Sequence, residues 1–192
     1  MDVKLPKAVI FDMDGVIADS EPIHDEALMT VLVAHGLSLA EEDRNAILGT
    51  TLDETWRCLQ DRLALPGPLE SWKERYSDLV CQLLREKVEP TAGLYDLLSK
   101  LEERETRIAL ASSSPRIWVD IVLQRLEVSH RFQVVIAGDE VERGKPAPDI
   151  YLKAAHALGV RPSQCLVIED SPAGLKAASS AGMKPVAVLT RH

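Results

Sequence analysis

Four short polar clusters carry the chemistry that can be read from this sequence: Asp12 with Asp14, the run Ser112-Ser113-Ser114, Lys145, and Glu169 with Asp170. Carboxylates two apart in an extended run point to one side. Such a pair repels itself unless a cation or a shared proton intervenes. Three or four carboxylates gathered in one crevice favour a hard divalent cation with oxygen ligands, Mg2+ above all. Lys145, between Gly144 and Pro146, stands outside regular structure, where a buried ammonium can neutralise a carboxylate or a phosphoryl oxygen. Serine hydroxyls that lead into a helix start, with its free N–H groups, make an anion site. Together the parts describe phosphoryl transfer, with one carboxylate attacking phosphorus and another handling protons. Each cluster also has a plainer reading. Asp-x-Asp before glycine is a common turn, a lone lysine is usually solvated, and Ser114 before Pro115 is an ordinary N-cap.

The clusters follow short apolar runs that read as buried strands: residues 8–11, 108–111, 134–137 and 166–168, with a fifth run at 186–189. A helical stretch precedes each of the last four. That alternation predicts an α/β fold with a Rossmann-like parallel sheet and crossover helices. Helices are expected over 93–101, after the Ser114-Pro115 start, after Pro148 as far as Gly159, and from Ser171-Pro172 to Gly182. The carboxyl ends of parallel strands open onto one crevice, so residues distant in the chain can converge there.

Residues 17–89 are different. They hold no convincing strand. Ile23, Ala27, Leu28, Val31 and Leu32 form one amphipathic face. Thr51-x-x-Glu54 and Ser71-x-x-Glu74 are capping-box patterns, each expected to open a helix, and Pro66-Gly67-Pro68 breaks the chain between them. The expected organisation is a core of residues 1–16 plus 90–192 with an inserted α-helical cap domain, residues 17–89.

Composition excludes several classes. The chain has 192 residues, with 46% hydrophobic and 27% charged, which is ordinary for a globular protein. A net charge of −8 leaves no basic nucleic-acid footprint. No apolar run approaches the ~20 residues of a membrane span, and no secretory leader pattern opens the chain. Cys58, Cys81 and Cys165 are spaced for neither zinc nor a disulfide framework and are expected to be free thiols in the cytoplasm. The sparse tryptophans, Trp56, Trp72 and Trp118, are expected to pack in the core or the insert. There is no GxxxxGK[ST], GxGxxG or GxSxG pattern.

With these residues in view, the chain resembles the haloacid dehalogenase superfamily. Phe11-Asp12-Met13-Asp14-Gly15-Val16 resembles its first motif and Leu110-Ala111-Ser112-Ser113-Ser114 its second. Gly144-Lys145-Pro146-Ala147-Pro148-Asp149 resembles the third, and Glu169-Asp170-Ser171 with Gly174 the fourth. The insert looks like the small helical cap of the β-phosphoglucomutase and sugar-phosphate phosphatase subgroup. The resemblance implies that Asp12 is the nucleophile that forms an aspartyl-phosphate. It implies that Asp14 protonates the leaving group and then activates water. Mg2+ would bind the Asp12 carboxylate, the Asp14 main-chain carbonyl and Asp170, with Glu169 as a further or outer ligand. Ser112, the Ser113 main-chain N–H and Lys145 would hold the phosphoryl group. Ser20, Glu21 and His24 would belong to the substrate-facing hinge of the cap. Members of the family usually continue past the fifth strand with a further short strand and helix; this chain ends at Thr190-Arg191-His192.

The expected function is Mg2+-dependent hydrolysis of a small phosphorylated metabolite, a sugar phosphate, by a monomer without nucleic-acid or membrane partners. The alternative within the family is a β-phosphoglucomutase-like mutase. The mutase carries a cap arginine for the second phosphate; in the matching stretch, Gly49-Thr50-Thr51-Leu52, that position is Leu52. Ser20 stands where the mutase has threonine, and His24 is common to both activities. A dehalogenase proper would leave Asp14 without a role. A phospho-aspartate receiver module would share the acids, hydroxyl and lysine, but it carries no such insert and has an adjacent acidic pair after its first strand.

Overall fold

The computed structural model describes residues 5–47 and 52–189. Five parallel strands form the main sheet: β1 (Ala8–Phe11), β4 (Arg107–Ala111), β5 (Val134–Ile136), β6 (Cys165–Glu169) and β7 (Lys184–Ala187), in the order β5-β4-β1-β6-β7. Between them run α5 (Leu94–Glu103), α6 (Arg116–Arg125), α7 (Asp149–Ala157) and α8 (Pro172–Ser180). β1 is buried along its whole length because it is paired on both edges and covered on both faces, the situation that an uninterrupted Ala-Val-Ile-Phe run requires. Its register sets the site. Phe11 lies opposite Leu110 of β4 and Ile168 of β6, so the residues after these three strands emerge side by side. The chain order turns from one side of β1 to the other between β5 and β6, which makes this the switch point where such sheets bind ligands.

The chain folds as two compact units. One takes the chain up to Glu21 and again from Val88, and the other spans Pro22–Lys87. The second unit holds α2 (Glu41–Ile47), α3 (Leu52–Leu63), α4 (Leu69–Lys87) and all but the first residue of α1 (Glu21–Val33). The α1 face read from the sequence is the buried one. Trp56 packs 6.0 Å from Trp72 and 5.7 Å from Tyr76, and Trp118 is buried in the sheet unit. Among the described residues, no helix is long and apolar enough to cross a membrane. The three cysteines are free, Cys81 and Cys165 buried and Cys58 half-buried.

Several expectations need correction. Residues 17–89 do contain strand: β2 (Ala18–Asp19) pairs antiparallel with β3 (Glu89–Pro90). Two-residue strands have no periodicity to detect, and Pro90 is tolerated in a ribbon with an open edge. The fifth strand begins two residues early, at Lys184, because it follows the register of β6, where Leu166 meets Lys184. Pro185 sits in this sheet-edge strand, where its missing N–H leaves no gap between strands. α4 begins at Leu69, so Ser71 lies inside the first turn and its N–H goes to the Pro68 carbonyl. Thr51, with Gly49 and Thr50, lies outside the described residues.

Candidate active site

Beyond Phe11 the chain leaves the sheet. Asp12 still donates its N–H to Ile168 O at 2.9 Å, but three N–H groups, from Val16, Ile17 and Ala18, then converge on Met13 O. Gly15, at φ 72°, takes the left-handed conformation this turn needs. Asp14 is therefore not the next residue of an extended run, and the two carboxylates acquire different partners. The Asp12 carboxylate accepts from Lys145 Nζ at 2.5 Å. The Asp14 carboxylate accepts from Ser20 Oγ at 2.5 Å on one oxygen and from Ser114 Oγ at 2.8 Å on the other. This arrangement replaces the expected N-cap. The Ser114 hydroxyl is committed to Asp14, Pro115 holds the N-cap position of α6, and the Ser114 N–H donates to Ser112 Oγ at 3.0 Å.

Lys145 is no surface lysine. Its side chain is 5% exposed, and Nζ bridges Asp12 and Glu169, the latter at 2.7 Å. The ammonium also lies 5.0 Å from the centre of the Tyr151 ring, and Tyr151 OH donates to Glu169 Oε1 at 3.2 Å. The other oxygen of Glu169 accepts from Ser171 N at 2.6 Å and Ser171 Oγ at 2.9 Å, at the start of α8. Glu169, fully buried, is thus surrounded by donors. Gly174 admits it: a Cβ there would stand 1.6 Å from Glu169 Oε1.

The electrostatics follow from burial. Burial pushes Asp12 up to about 7, against Lys145 and with the Glu169 and Asp14 charges. Asp170 rises to about 6, first through burial and then through Glu169, with Glu21 and Asp14 adding and its own backbone N–H opposing. Burial acts to raise Glu169 too, but the charge and hydrogen bond of Lys145, with the Ser171 donors, hold it below its ordinary value. Burial opposes the Lys145 charge, yet Asp12, Tyr151 and Glu169 raise its pKa on balance.

Asp12, Glu169 and Asp170 each offer a carboxylate oxygen, all within 4.8 Å of one another. Three converging carboxylate oxygens, two of the side chains buried and Asp170 half-buried, are a donor set that fits a hard divalent cation such as Mg2+. The Asp14 carboxylate is not one of the three. The resemblance implies its main-chain carbonyl instead.

The structure brings Asp12, Asp14, Ser20, Ser112, Ser114, Lys145, Glu169 and Asp170 to the carboxyl ends of β1, β4 and β6. Ser113 is exposed beside its two buried neighbours. Glu21 opens α1 and is felt electrostatically by Asp170. His24, in the helical unit, shares a 2.9 Å hydrogen bond with Tyr76 OH. Sequence reasoning missed Tyr151 and the contact of Ser114 with Asp14. Tyr151 reads only as one of several buried positions of α7.

A family model described as haloacid dehalogenase-like hydrolase matches residues 9–188. The chain belongs to that family. Within it, this hydrolase falls in the subgroup of phosphatases and β-phosphoglucomutase-like proteins. It is similar to a phosphorylated-carbohydrates phosphatase of Thermotoga maritima, 34% identical over 94% of this chain and 83% of the relative. It is also similar to a fructose-1-phosphate phosphatase of Escherichia coli, 36% identical over 94% and 95%. Among solved structures, CbbY of Rhodobacter sphaeroides in complex with phosphate has a TM-score of 0.84 at 27% identity, covering 98% of this chain and 89% of that one.

Proposed function

We propose that this phosphoric monoester hydrolase is Mg2+-dependent and hydrolyses a small sugar phosphate through an aspartyl-phosphate on Asp12. The observation that carries the reading is the separation of two carboxylates by partner: Asp12 beside the Lys145 ammonium, and Asp14 held by the Ser20 and Ser114 hydroxyls. The first is dressed for a nucleophile that must approach an anion, the second for proton transfer. Asp12 attacks phosphorus and the bond to the ester oxygen breaks. Asp14 gives that oxygen its proton. Asp14 then takes a proton from the water that attacks phosphorus, and orthophosphate leaves with Asp12 restored. Ser112, the Ser113 N–H and Lys145 hold the phosphoryl oxygens. Bound at Asp12 and Asp170, with Glu169 beside them, Mg2+ would offset the charge that gathers on these oxygens.

The helical unit, inserted just after the Asp12–Asp14 turn, acts as a cap that selects the substrate. The names of the relatives support a phosphorylated carbohydrate. Leu52, at the position where the mutase resemblance calls for arginine, supports hydrolysis over phosphoryl transfer between positions of one sugar. The test is a panel of sugar phosphates, glucose 1-phosphate isomers included, assayed for orthophosphate with Mg2+ and with chelator. Orthophosphate should appear only with the metal, and Asp12→Asn should lose about three orders of magnitude or more in turnover while remaining folded. Full activity in a folded Asp12→Asn protein would overturn the mechanism, and glucose 6-phosphate formed in place of orthophosphate would overturn the phosphatase reading.

A further inference from the structure

The serine segment after β4 is held from one side by the first turn after β5, Gly138–Glu140, which the mechanism above does not use. The parallel pairing of the two strands ends at Ala111 opposite Ile136, but hydrogen bonding continues past it. Ser112 N donates to Ile136 O at 3.0 Å, and Gly138 N donates to Ser114 O at 2.9 Å. The next backbone donor, Arg116 N, reaches the Asp139 carboxylate at 3.2 and 3.3 Å. The Arg116 side chain then folds back. Its Nε donates to Glu140 Oε1 at 2.7 Å, its Nη2 to the same oxygen, and Nη2 also to Val135 O at 2.9 Å. Lys153 Nζ closes the arrangement on Glu140 O at 2.7 Å.

The approach at Gly138 is closer than any side chain permits. A Cβ there would lie 2.0 Å from Ser113 O, 2.6 Å from Ser113 C and 3.1 Å from Ser113 Cα. All three atoms are backbone, so no rotamer change relieves the collision. The peptide that must give way is the one whose geometry sets the N–H groups and hydroxyls of the serine segment, and it is flanked by Ser112, fully buried, and Ser114, which holds Asp14.

We propose that Gly138 and Arg116 are positioning residues for phosphoryl binding: the first turn after β5 acts as a brace that fixes the Ser112–Ser114 backbone against the anion, with Arg116 tying the brace through Glu140 and Asp139. Neither residue touches the reacting atoms. The inference rests on the phosphoryl-site reading given above. It separates two functions of the crevice, because the brace acts on the β4 side, whereas the carboxylate cluster is carried by β1 and β6.

The test is the inhibition constant for orthophosphate and the activation constant for Mg2+, measured with melting temperatures on wild type, Gly138→Ala, Arg116→Ala and Arg116→Lys. Moving a binding peptide by about an ångström costs on the order of a hundred-fold in kcat/KM. Gly138→Ala should therefore weaken orthophosphate inhibition by about ten-fold or more and lower kcat/KM further, while the Mg2+ activation constant stays within about two-fold. Arg116→Ala should do the same to a smaller degree. Arg116→Lys, which keeps the charge but loses the fork on Glu140, should recover only part of it. Should Gly138→Ala fail to fold, Arg116→Ala carries the test alone. Unchanged orthophosphate inhibition in the folded variants overturns the brace, as does an equal shift in the phosphate and Mg2+ constants, the mark of general loosening. A wild-type protein that orthophosphate does not inhibit overturns the phosphoryl-site reading itself, and the brace with it.

Discussion

Gly174→Ala is the smallest change that should dismantle the site without touching a reacting group. Gly174 lies in the first turn of α8, where the Cα–Cβ bond tilts toward the helix N-terminus and so toward Glu169. The new methyl carbon would stand 1.6 Å from Oε1, 2.0 Å from Cδ and 2.6 Å from Oε2. The carboxylate must retreat by roughly 1 Å or more to reach an ordinary contact. It is fully buried, so no route to water is open. Retreat breaks hydrogen bonds to Lys145 Nζ, Ser171 N and Ser171 Oγ, all between 2.6 and 2.9 Å. Bonds to a charged group contribute about 1.5–3 kcal/mol each, and breaking a buried pair costs about 3–5 kcal/mol. Partial retention of the Ser171 bonds puts the expected loss near 3 kcal/mol, about 6–12 °C in melting temperature for a chain of this size. Lys145 would keep Asp12 as its remaining carboxylate partner, and kcat/KM should fall on the order of a hundred-fold. The assay is thermal unfolding beside steady-state hydrolysis, with Gly182→Ala as control. Gly182 sits beyond the other end of α8 at φ 71° with open space around it, so the same substitution there costs about 1 kcal/mol of backbone strain and leaves kcat/KM alone. A Gly174→Ala protein that melts within about 2 °C of wild type and keeps its kcat/KM would refute the reasoning.

Three further outcomes follow from the same charges. Lys145→Met leaves Asp12 and Glu169 buried without their cation. Because the folded-state pKa of Asp12 already lies above its unfolded value, protonation favours the fold. The variant should therefore be only mildly destabilised near pH 5 and lose about 3–5 kcal/mol above about pH 7, read by denaturant unfolding at both values. Held at Asp12 and Asp170 as proposed, Mg2+ would compete with protons, because burial raises these carboxyls to about 7 and about 6. Its affinity should rise with pH through that window and level off above it, with calorimetry in two buffers registering proton release at about pH 6 and none at about pH 8; a flat profile would contradict the metal assignment. Ser114→Ala removes one of the two hydroxyls on the Asp14 carboxylate and should lower kcat about ten-fold with KM little changed. An unaltered kcat would mean that Asp14 needs no such support.

The strands and the motif residues were legible in the sequence for one reason. A strand buried on both faces is a short uninterrupted apolar run, and in a parallel sheet the chemistry must come directly after it. Boundaries slipped where the signal was weak: at β7, whose start is dictated by Leu166 of its neighbour, and at β2 and β3, which are too short to show a period. The insert was legible as helix from the face of Ile23, Ala27, Leu28, Val31 and Leu32, but the start of α4 was set by the Pro68 carbonyl rather than by the Ser71 pattern.

By itself the sequence determined which groups are available: four acids and a serine run at the ends of apolar stretches, and a lysine further along the loop between Gly144 and Pro146. It did not determine their partners. The hydroxyl of Ser114 reaches Asp14 across 100 residues and the ammonium of Lys145 reaches Asp12 across 133. Those pairs depend on β1 lying between β4 and β6 in one register. Strand order and register are set by the packing of whole strands and helices, which no local pattern encodes. Tertiary structure therefore decided that Asp12 and Asp14 part company, that Ser114 holds a carboxylate instead of capping a helix, and that Glu169 is enclosed by donors at a place only a glycine leaves open.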